Sequence, residues 1–224
     1  MPDDEPEEFL DRLDAADRAA LAERGRHRRW PTGSSLFLDG DRSSTVLVIV
    51  SGRVKVFSLT ENGDEILLAV RGPGALLGEM SAVDGSSRSA SVAALEPVVA
   101  LVVGVPDFVE FLRTHPGAAM VLLRLVISRV RDSDRKRVEF GAFDIAARVA
   151  GRLVELADRF GEPVPDGVRI AVPLSQDELA GWVGASREAV AKALRVLRDR
   201  GLVTTGRRTM TVLDLDGLRR RARG

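Results

Sequence analysis

Residues 175–201 read SQDELAGWVGASREAVAKALRVLRDRG, and this stretch decides the C-terminal fold. Ser175-Gln-Asp-Glu178 is a capping box: the Ser175 hydroxyl takes an orphan backbone amide while Glu178 reaches back to the amide of Ser175. The helix started there runs through Leu179, Ala180 and Val183 to Gly184-Ala185-Ser186, where glycine permits a tight turn and Ser186 caps a second helix, Arg187 to Arg200, stopped by Gly201. Small Ala180 stands at the crossing point, and Leu179, Val183, Ala185, Val190 and Ala193 supply the core side, which is the pattern of a helix-turn-helix.

In that geometry the second helix enters the major groove of a duplex. Ser186, Arg187, Glu188, Lys192 and Arg195 are its candidate DNA-binding residues, opposite an apolar face of Val190, Leu194 and Leu197. Arg187 suits guanine O6 and N7 through two parallel donors, Glu188 suits cytosine N4, and Lys192 donates as a point charge. Val203 to Leu213 alternates around Gly206-Arg207-Arg208, a hairpin wing whose tip, Arg207 and Arg208, suits phosphates. The competing reading is a charged, solvated face on a helical pair used for protein contact.

Charge follows the same division. The chain has 224 residues and 33 basic against 33 acidic side chains. Met1 to Phe143 holds 18 basic and 22 acidic residues, Asp144 to Gly224 holds 15 and 11, and Ser186 to Gly224 alone holds 11 and 4. A basic C-terminal third on an acidic remainder suggests a polyanion-facing module, although 30 of the 33 basic residues are Arg and composition bias contributes.

Several function classes drop out. No cysteine means no disulfide scaffold, iron–sulfur cluster, thiolate zinc site or cysteine nucleophile. Tyr is absent, and His27 and His115 lie 88 positions apart without a partner motif, which leaves acid–base and triad arrangements unsupplied. The longest uncharged apolar stretch, Pro97 to Pro106, has ten residues against the ~18 of a membrane span. The acidic N-terminus lacks the pattern of a secretory signal, so a cytoplasmic address and no membrane partner are expected.

Upstream, from Trp30 to about Gly104, short strands are punctuated by glycine. Val46 to Val50 reads as a buried strand, Gly52 to Phe57 alternates, Asn62-Gly63 closes a hairpin onto Glu65 to Val70, and strands follow at Ala90 to Ala94 and Val98 to Val103. This spacing predicts an antiparallel sandwich, roll or barrel. After Pro106 the period changes. Phe108 to Leu112 predicts a short helix, and Leu122, Val126, Val130, Ser133, Arg137 and Phe140 lay one stripe along a long helix. That helix either pairs with its own copy in a homodimer or packs only on its own roll. Gly141-Ala-Phe-Asp144 interrupts it, Asp144 caps the next helix, Ile145 to Phe160, and Gly161 to Gly167 reads as a turn-rich connector before a strand at Val168 to Val172.

Gly78-Glu79-Met80 is followed nine residues after the Glu by Arg88-Ser89-Ala90. Charges inside an apolar roll need partners. One account is a Glu79–Arg88 ion pair. The other is a phosphate-bearing sugar: Arg88 and Ser89 on the phosphate, Glu79 on a ribose hydroxyl, and the amides of a short helix starting near Gly78.

Gly-Glu-Met and Arg-Ser-Ala, followed by a long helix and a winged helix-turn-helix, resemble the catabolite activator / fumarate–nitrate regulator (CRP/FNR) family of transcription factors from about Leu10 to Leu218. The resemblance implies an α+β chain: an N-terminal antiparallel, jelly-roll-like cyclic nucleotide-binding β-roll (1–113), a long dimerisation helix and hinge (114–143) and a C-terminal winged helix-turn-helix domain (144–224). It points to the branch that responds to cyclic AMP, with Gly78, Glu79, Met80, Arg88 and Ser89 as the ligand cassette. Ser133 and Asp134 fall where family members present hydroxyls to the adenine, and Asp134 departs from that type. Without cysteine the chain does not resemble the iron–sulfur or haem branches, and no metal is expected. The implied activity is allosteric regulation of transcription, not catalysis, with a double-stranded DNA operator, a second copy of the chain and RNA polymerase as partners. A regulator of the same fold that binds DNA without cyclic AMP is the alternative.

Overall fold

The computed structural model describes residues 8–42, 44–206 and 209–224, and the chain divides into two compact units. The first holds the described residues up to Ser58 together with Leu68–Asp132; the second holds Leu59–Leu67 and Ser133–Gly224.

The N-terminal part begins with helix α1 (Ala15–Glu23), capped by Asp14, whose carboxylate accepts from the Asp17 amide. Among the described residues, β1 (Gly25–Trp30), β2 (Ser35–Phe37), β3 (Thr45–Ser51), β4 (Val54–Leu59), β5 (Glu65–Arg71), β6 (Leu76–Leu77), the helix α2 (Glu79–Asp84), β7 (Ser91–Ala94) and β8 (Val98–Gly104) follow in order. They form two four-stranded sheets, β1-β8-β3-β6 and β2-β7-β4-β5, antiparallel in every pair with a defined register. The expected antiparallel roll is present. Strand β1 was not expected, because Arg26, His27, Arg28 and Arg29 are all exposed on a sheet edge and leave no alternation to read.

Strand β3 explains its own unbroken apolar run. Val46 and Val48 belong to one core with Leu101, Val103, Phe108 and Phe111, whereas Leu47 and Ile49 belong to another with Trp30, Val54, Val92 and Val98. A strand covered on both faces has no polar side. Helices α3 (Val105–Thr114) and α4 (Pro116–Ala142) cover the first of these faces through Phe108, Phe111, Ala118, Leu122 and Leu125. Each fully buried phenylalanine contributes about 1.5–3 kcal/mol. His115 ends α3 and stacks on Phe111 at 4.6 Å, an ordinary structural histidine.

The register of α4 refines the expected stripe. Leu122 and Val126 pack on the helix's own roll, while Met120, Leu123, Ile127 and Val130, one face over, are exposed. The helix also passes through Gly141, expected to interrupt it, and ends at Ala142. Glycine costs about 1 kcal/mol in a helix interior and less at a fraying end.

In the C-terminal unit α5 (Ile145–Phe160) occupies its expected span, with the Asp144 carboxylate accepting from the Ala147 amide at 2.8 Å. The segment read as a connector contains strand β9 (Gly161–Val164), which pairs in a hairpin with β10 (Gly167–Ile170), where a strand was expected at Val168 to Val172. Helices α6 (Gln176–Val183) and α7 (Arg187–Asp199), strands β11 (Val203–Gly206) and β12 (Thr209–Val212), and helix α8 (Leu215–Arg221) complete the unit, with sheet order β11-β12-β10-β9. Helix α8 was not expected. Arg221 fixes it to α5 by donating to both oxygens of Asp144 at 2.6 and 2.7 Å, and Arg219 donates to Asp158 at 2.8 Å.

The Ala147 amide and the Arg221 guanidinium hold the Asp144 carboxyl below its usual range. A carboxyl lowered by folding contributes stability above its unfolded pKa and loses it as pH falls through the folded value. Calorimetry on Asp144→Asn should therefore show a lower melting temperature than the parent at neutral pH, with the gap closing as pH falls below about 4.

Candidate functional site

The turn between β6 and α2 builds the first candidate site. Gly78 has φ +78, a left-handed conformation, and a Cβ there would lie 2.1 Å from Arg88 Nη1. Only a glycine lets the arginine come this close. Glu79, 3% exposed, opens α2, and Gly85 closes it with φ +74. The following loop is held by Asp84, which accepts from the Ser86 hydroxyl and amide at 2.6 and 2.9 Å; these bonds lower its pKa.

Arg88 is 5% exposed. Its Nη1 donates to Gly78 O and Ser81 Oγ, both at 2.9 Å, its Nη2 donates to Thr45 O, and its guanidinium lies 4.3 Å from the Phe37 ring centroid. Burial pulls the guanidinium below its usual pKa range, and the charges of Glu79 and Asp41 pull it back up. The ion pair of Glu79 is not with Arg88. Arg129 Nη1 donates to Glu79 Oε1 at 2.5 Å, and its Nη2 donates to Leu76 O at 2.8 Å. Arg129 Nε is buried with no hydrogen-bond partner among the described residues.

The sequence reading missed Arg129. Its signal was present: one of two arginines, with Arg124, in the apolar half of α4, one helical turn before Ser133. The structure thus brings together Gly78, Glu79, Arg88 and Arg129. Met80 is 51% exposed on α2, and Ser89 is exposed beside Arg88. Ser133 and Asp134 are exposed on α4 in the C-terminal unit.

The second candidate site is the helix pair. Ser175 Oγ accepts from the Glu178 amide at 3.1 Å, and Glu178 Oε2 accepts from the Ser175 amide at 2.8 Å, so both halves of the capping box are formed. Gly184 turns at φ +59, and Ser186 caps α7 by accepting from the Ala189 amide at 3.2 Å. Val190, Ala193, Leu194 and Leu197 are buried, which leaves Ser186, Arg187, Glu188, Lys192 and Arg195 exposed together. Arg187 lies 3.5 Å from Asp177 and is 64% exposed, a contact of little energetic weight. Glu188 is held below its usual pKa range by its own backbone amide and the Ser186 hydroxyl. The wing is the β11–β12 hairpin, and Arg198 Nη1 donates to Thr205 Oγ1 at 3.0 Å. Arg207 and Arg208, expected at its tip, lie outside the described residues.

The model of a cyclic nucleotide-binding domain matches residues 27–115, and that of a Crp-like helix-turn-helix domain matches residues 147–221. The chain is 32% identical over 205 residues to the CRP-like cAMP-activated global transcriptional regulator of Mycobacterium tuberculosis, covering 92% of each. It belongs to the CRP/FNR family. This CRP/FNR protein is also 32% identical over 187 residues to the cyclic AMP receptor protein of Thermus thermophilus, covering 84% of this chain and 83% of the other. The c-di-GMP-responsive global regulator CLP of Xanthomonas campestris shares the fold, with a TM-score of 0.77 at 23% identity over 90% of this chain and all of that one. The protein is a DNA-binding transcription regulator with a cyclic nucleotide-binding domain, and its relatives are regulators, not enzymes. Among the described residues no helix is long and apolar enough to cross a membrane.

The Gly78 backbone is the point on which the cassette is most exposed to substitution. Gly78→Ala places a methyl group against Arg88 Nη1 and strains a left-handed φ. A loss of about 1–3 kcal/mol in urea denaturation is expected.

Proposed function

We propose that this regulator is a homodimer whose binding to DNA responds to a cyclic nucleotide, cyclic AMP in the first instance. The observation that carries the reading is the Glu79–Arg129 pair: the acid suited to a ribose hydroxyl is already bonded to an arginine of the long helix. Each cassette residue has the chemistry for one part of such a ligand. Arg88 brings a planar fork and Ser89 an exposed hydroxyl for a cyclic phosphate, Glu79 brings acceptor oxygens for a sugar hydroxyl, and Gly78 and Met80 frame them. Arg129, with one donor to spare, supports the fit.

A change in the partners of Glu79 is a change in the partners of Arg129, and α4 feels it directly. Ser133 and Asp134, one turn on, are the α4 positions assigned to the base. Met120, Leu123, Ile127 and Val130 form an exposed stripe at spacings of 3, 4 and 3, suited to the same stripe on a second copy. In this reading residues 1–113 sense, 114–143 pair and transmit, and 144–224 bind the operator through Ser186, Arg187, Glu188, Lys192 and Arg195, with Arg207 and Arg208 on phosphates. RNA polymerase is the partner at the promoter, and the molecule works in the cytoplasm. No metal, haem or iron–sulfur cluster is needed.

A second reading is a regulator that binds DNA without cyclic AMP. Arg88 favours it, because Gly78 O, Thr45 O and Ser81 Oγ already accept from its guanidinium. Gel-shift titration at fixed salt with cyclic AMP, cyclic GMP or no nucleotide separates the two. Cyclic AMP should raise affinity by about tenfold or more, a coupling in the 1–3 kcal/mol range; equal affinity in all three arms supports the second reading. Arg88→Leu should leave a folded dimer that no longer responds, and a parent-like response from it would overturn the cassette assignment. Arg187→Ala should lose about 1–3 kcal/mol of discrimination at one base pair while nucleotide affinity stays unchanged.

A further inference from the structure

Strands β1, β8 and β3 carry one row of side chains that neither core of the roll absorbs. Arg29 pairs with Val99, and Val99 pairs with Ser51, so the three stand side by side on one face of the sheet. Leu101 and Val103, further along the same face of β8, share a core with Phe108 and Phe111, whereas Val99 is half-buried and lies outside that core. The row therefore continues an apolar face past the end of its cover.

The neighbouring backbone shapes this end of the sheet into a groove. The register of β3 shifts between Ile49 and Ser51, which makes Val50 an extra residue, 44% exposed. A bulge of this kind bends a strand and re-aims its side chains. Just beyond it, Gly52 comes so near Pro97 that a Cβ would lie 2.3 Å from the Pro97 oxygen. Arg53 then donates to both oxygens of Glu96, each at 2.7 Å. These contacts hold the wall between Ser51 and Pro97. The groove encloses about 750 Å³, and its lining includes Arg29, Trp30, Thr32, Ser51, Pro97 and Val99. That volume is typical of sites for small organic molecules.

Apart from one cation and two hydroxyls, the lining is apolar. Arg29 is exposed and has no acid within ion-pair distance among the described residues, and Glu96, the residue before Pro97, is already paired with Arg53. The Thr32 and Ser51 hydroxyls have no hydrogen-bond partner among the described residues. A second cation, Arg28, stands 4.9 Å from the Trp30 ring centroid. An anion in this groove meets a planar guanidinium fork and two hydroxyl donors, with no free carboxylate to repel it. One guanidinium balances one negative charge, and valine and proline offer an apolar surface to whatever carries that charge.

We propose that this groove is a second small-molecule site, and that its ligand is an organic monocarboxylate with an apolar body. The carboxylate rests on the Arg29 fork with Thr32 and Ser51 donating, and the body lies over Val99 against Pro97. Glu79, Arg88 and Arg129 take no part, so the site is independent of the nucleotide reading.

Isothermal titration calorimetry on the full-length protein tests the proposal, with octanoate as the probe. The controls are 1-octanol, which has the body without the charge, and acetate, which has the charge without the body. Titrations at two temperatures prevent a vanishing enthalpy at one of them from hiding binding. Octanoate should bind saturably at one site per chain, at least tenfold more tightly than either control. Arg29→Gln removes the fork, and Ser51→Glu places a like charge beside the carboxylate. Both positions are exposed, and each variant should weaken octanoate binding at least tenfold. Absence of saturable octanoate binding overturns the site. Equally tight binding of a control overturns it too, as does parent-like affinity in either folded variant. Neither nucleotide nor DNA enters the measurement, so failure here is distinct from failure of the effector assignment.

Discussion

The ion pair between Glu79 and Arg129 is the contact on which the N-terminal half of this protein depends. It joins the first residue of a six-residue helix to the long helix 50 positions later in sequence, and the acid is almost fully buried. Removing one partner of such a pair strands a charge where water cannot reach it, which typically costs about 3–5 kcal/mol. Any register of α4 that separated the two would therefore be penalised. It also places the single acid of the cassette under shared ownership, because whatever engages Glu79 must be accommodated by Arg129. On the proposed reading, coupling needs no distant pathway, because the same carboxylate serves as ligand group and helix anchor.

Much of the architecture was legible from the residues, and the reasons differ by region. The helix-turn-helix could be read nearly to the residue because capping box, turn glycine and second cap are local, each set by side chains within four positions. Strand β3 was legible from its apolar run, while β1 was not, since an edge strand of arginines carries no period. Helix α8 escaped because its attachment, Arg221 on Asp144, spans 77 positions and leaves no mark in either segment alone. At the cassette, residue types and spacing pointed to Glu79 and Arg88 but not to their partners. A direct pair was one of two accounts left open by the nine-residue separation, and the fold sends Arg88 to two carbonyl oxygens and a serine hydroxyl and Glu79 to Arg129. Partners are a tertiary property, and only the three-dimensional path of α4 reveals them.

The chain relies heavily on guanidinium groups for interior work. Arg88 and Arg152 are each 5% exposed, and both hold several acceptors at once through a planar fork. A lysine at either place would offer one compact, strongly hydrated charge and would leave acceptors unmatched. An Arg-rich composition thus has structural uses besides any contribution to the charge of the reading face. It also joins helices, as where Arg152 of α5 donates to Glu139 of α4.

The two tryptophans divide between the two units, Trp30 in the roll with Arg28 4.9 Å from its ring and Trp182 in the winged domain with Lys136 and Arg152 near its ring. With no tyrosine in the chain, emission excited at the long-wavelength edge of the indole band comes from these two tryptophans alone. Each half of the molecule therefore carries its own built-in fluorophore in a distinct electrostatic setting, and loosening of either half registers optically without any added dye.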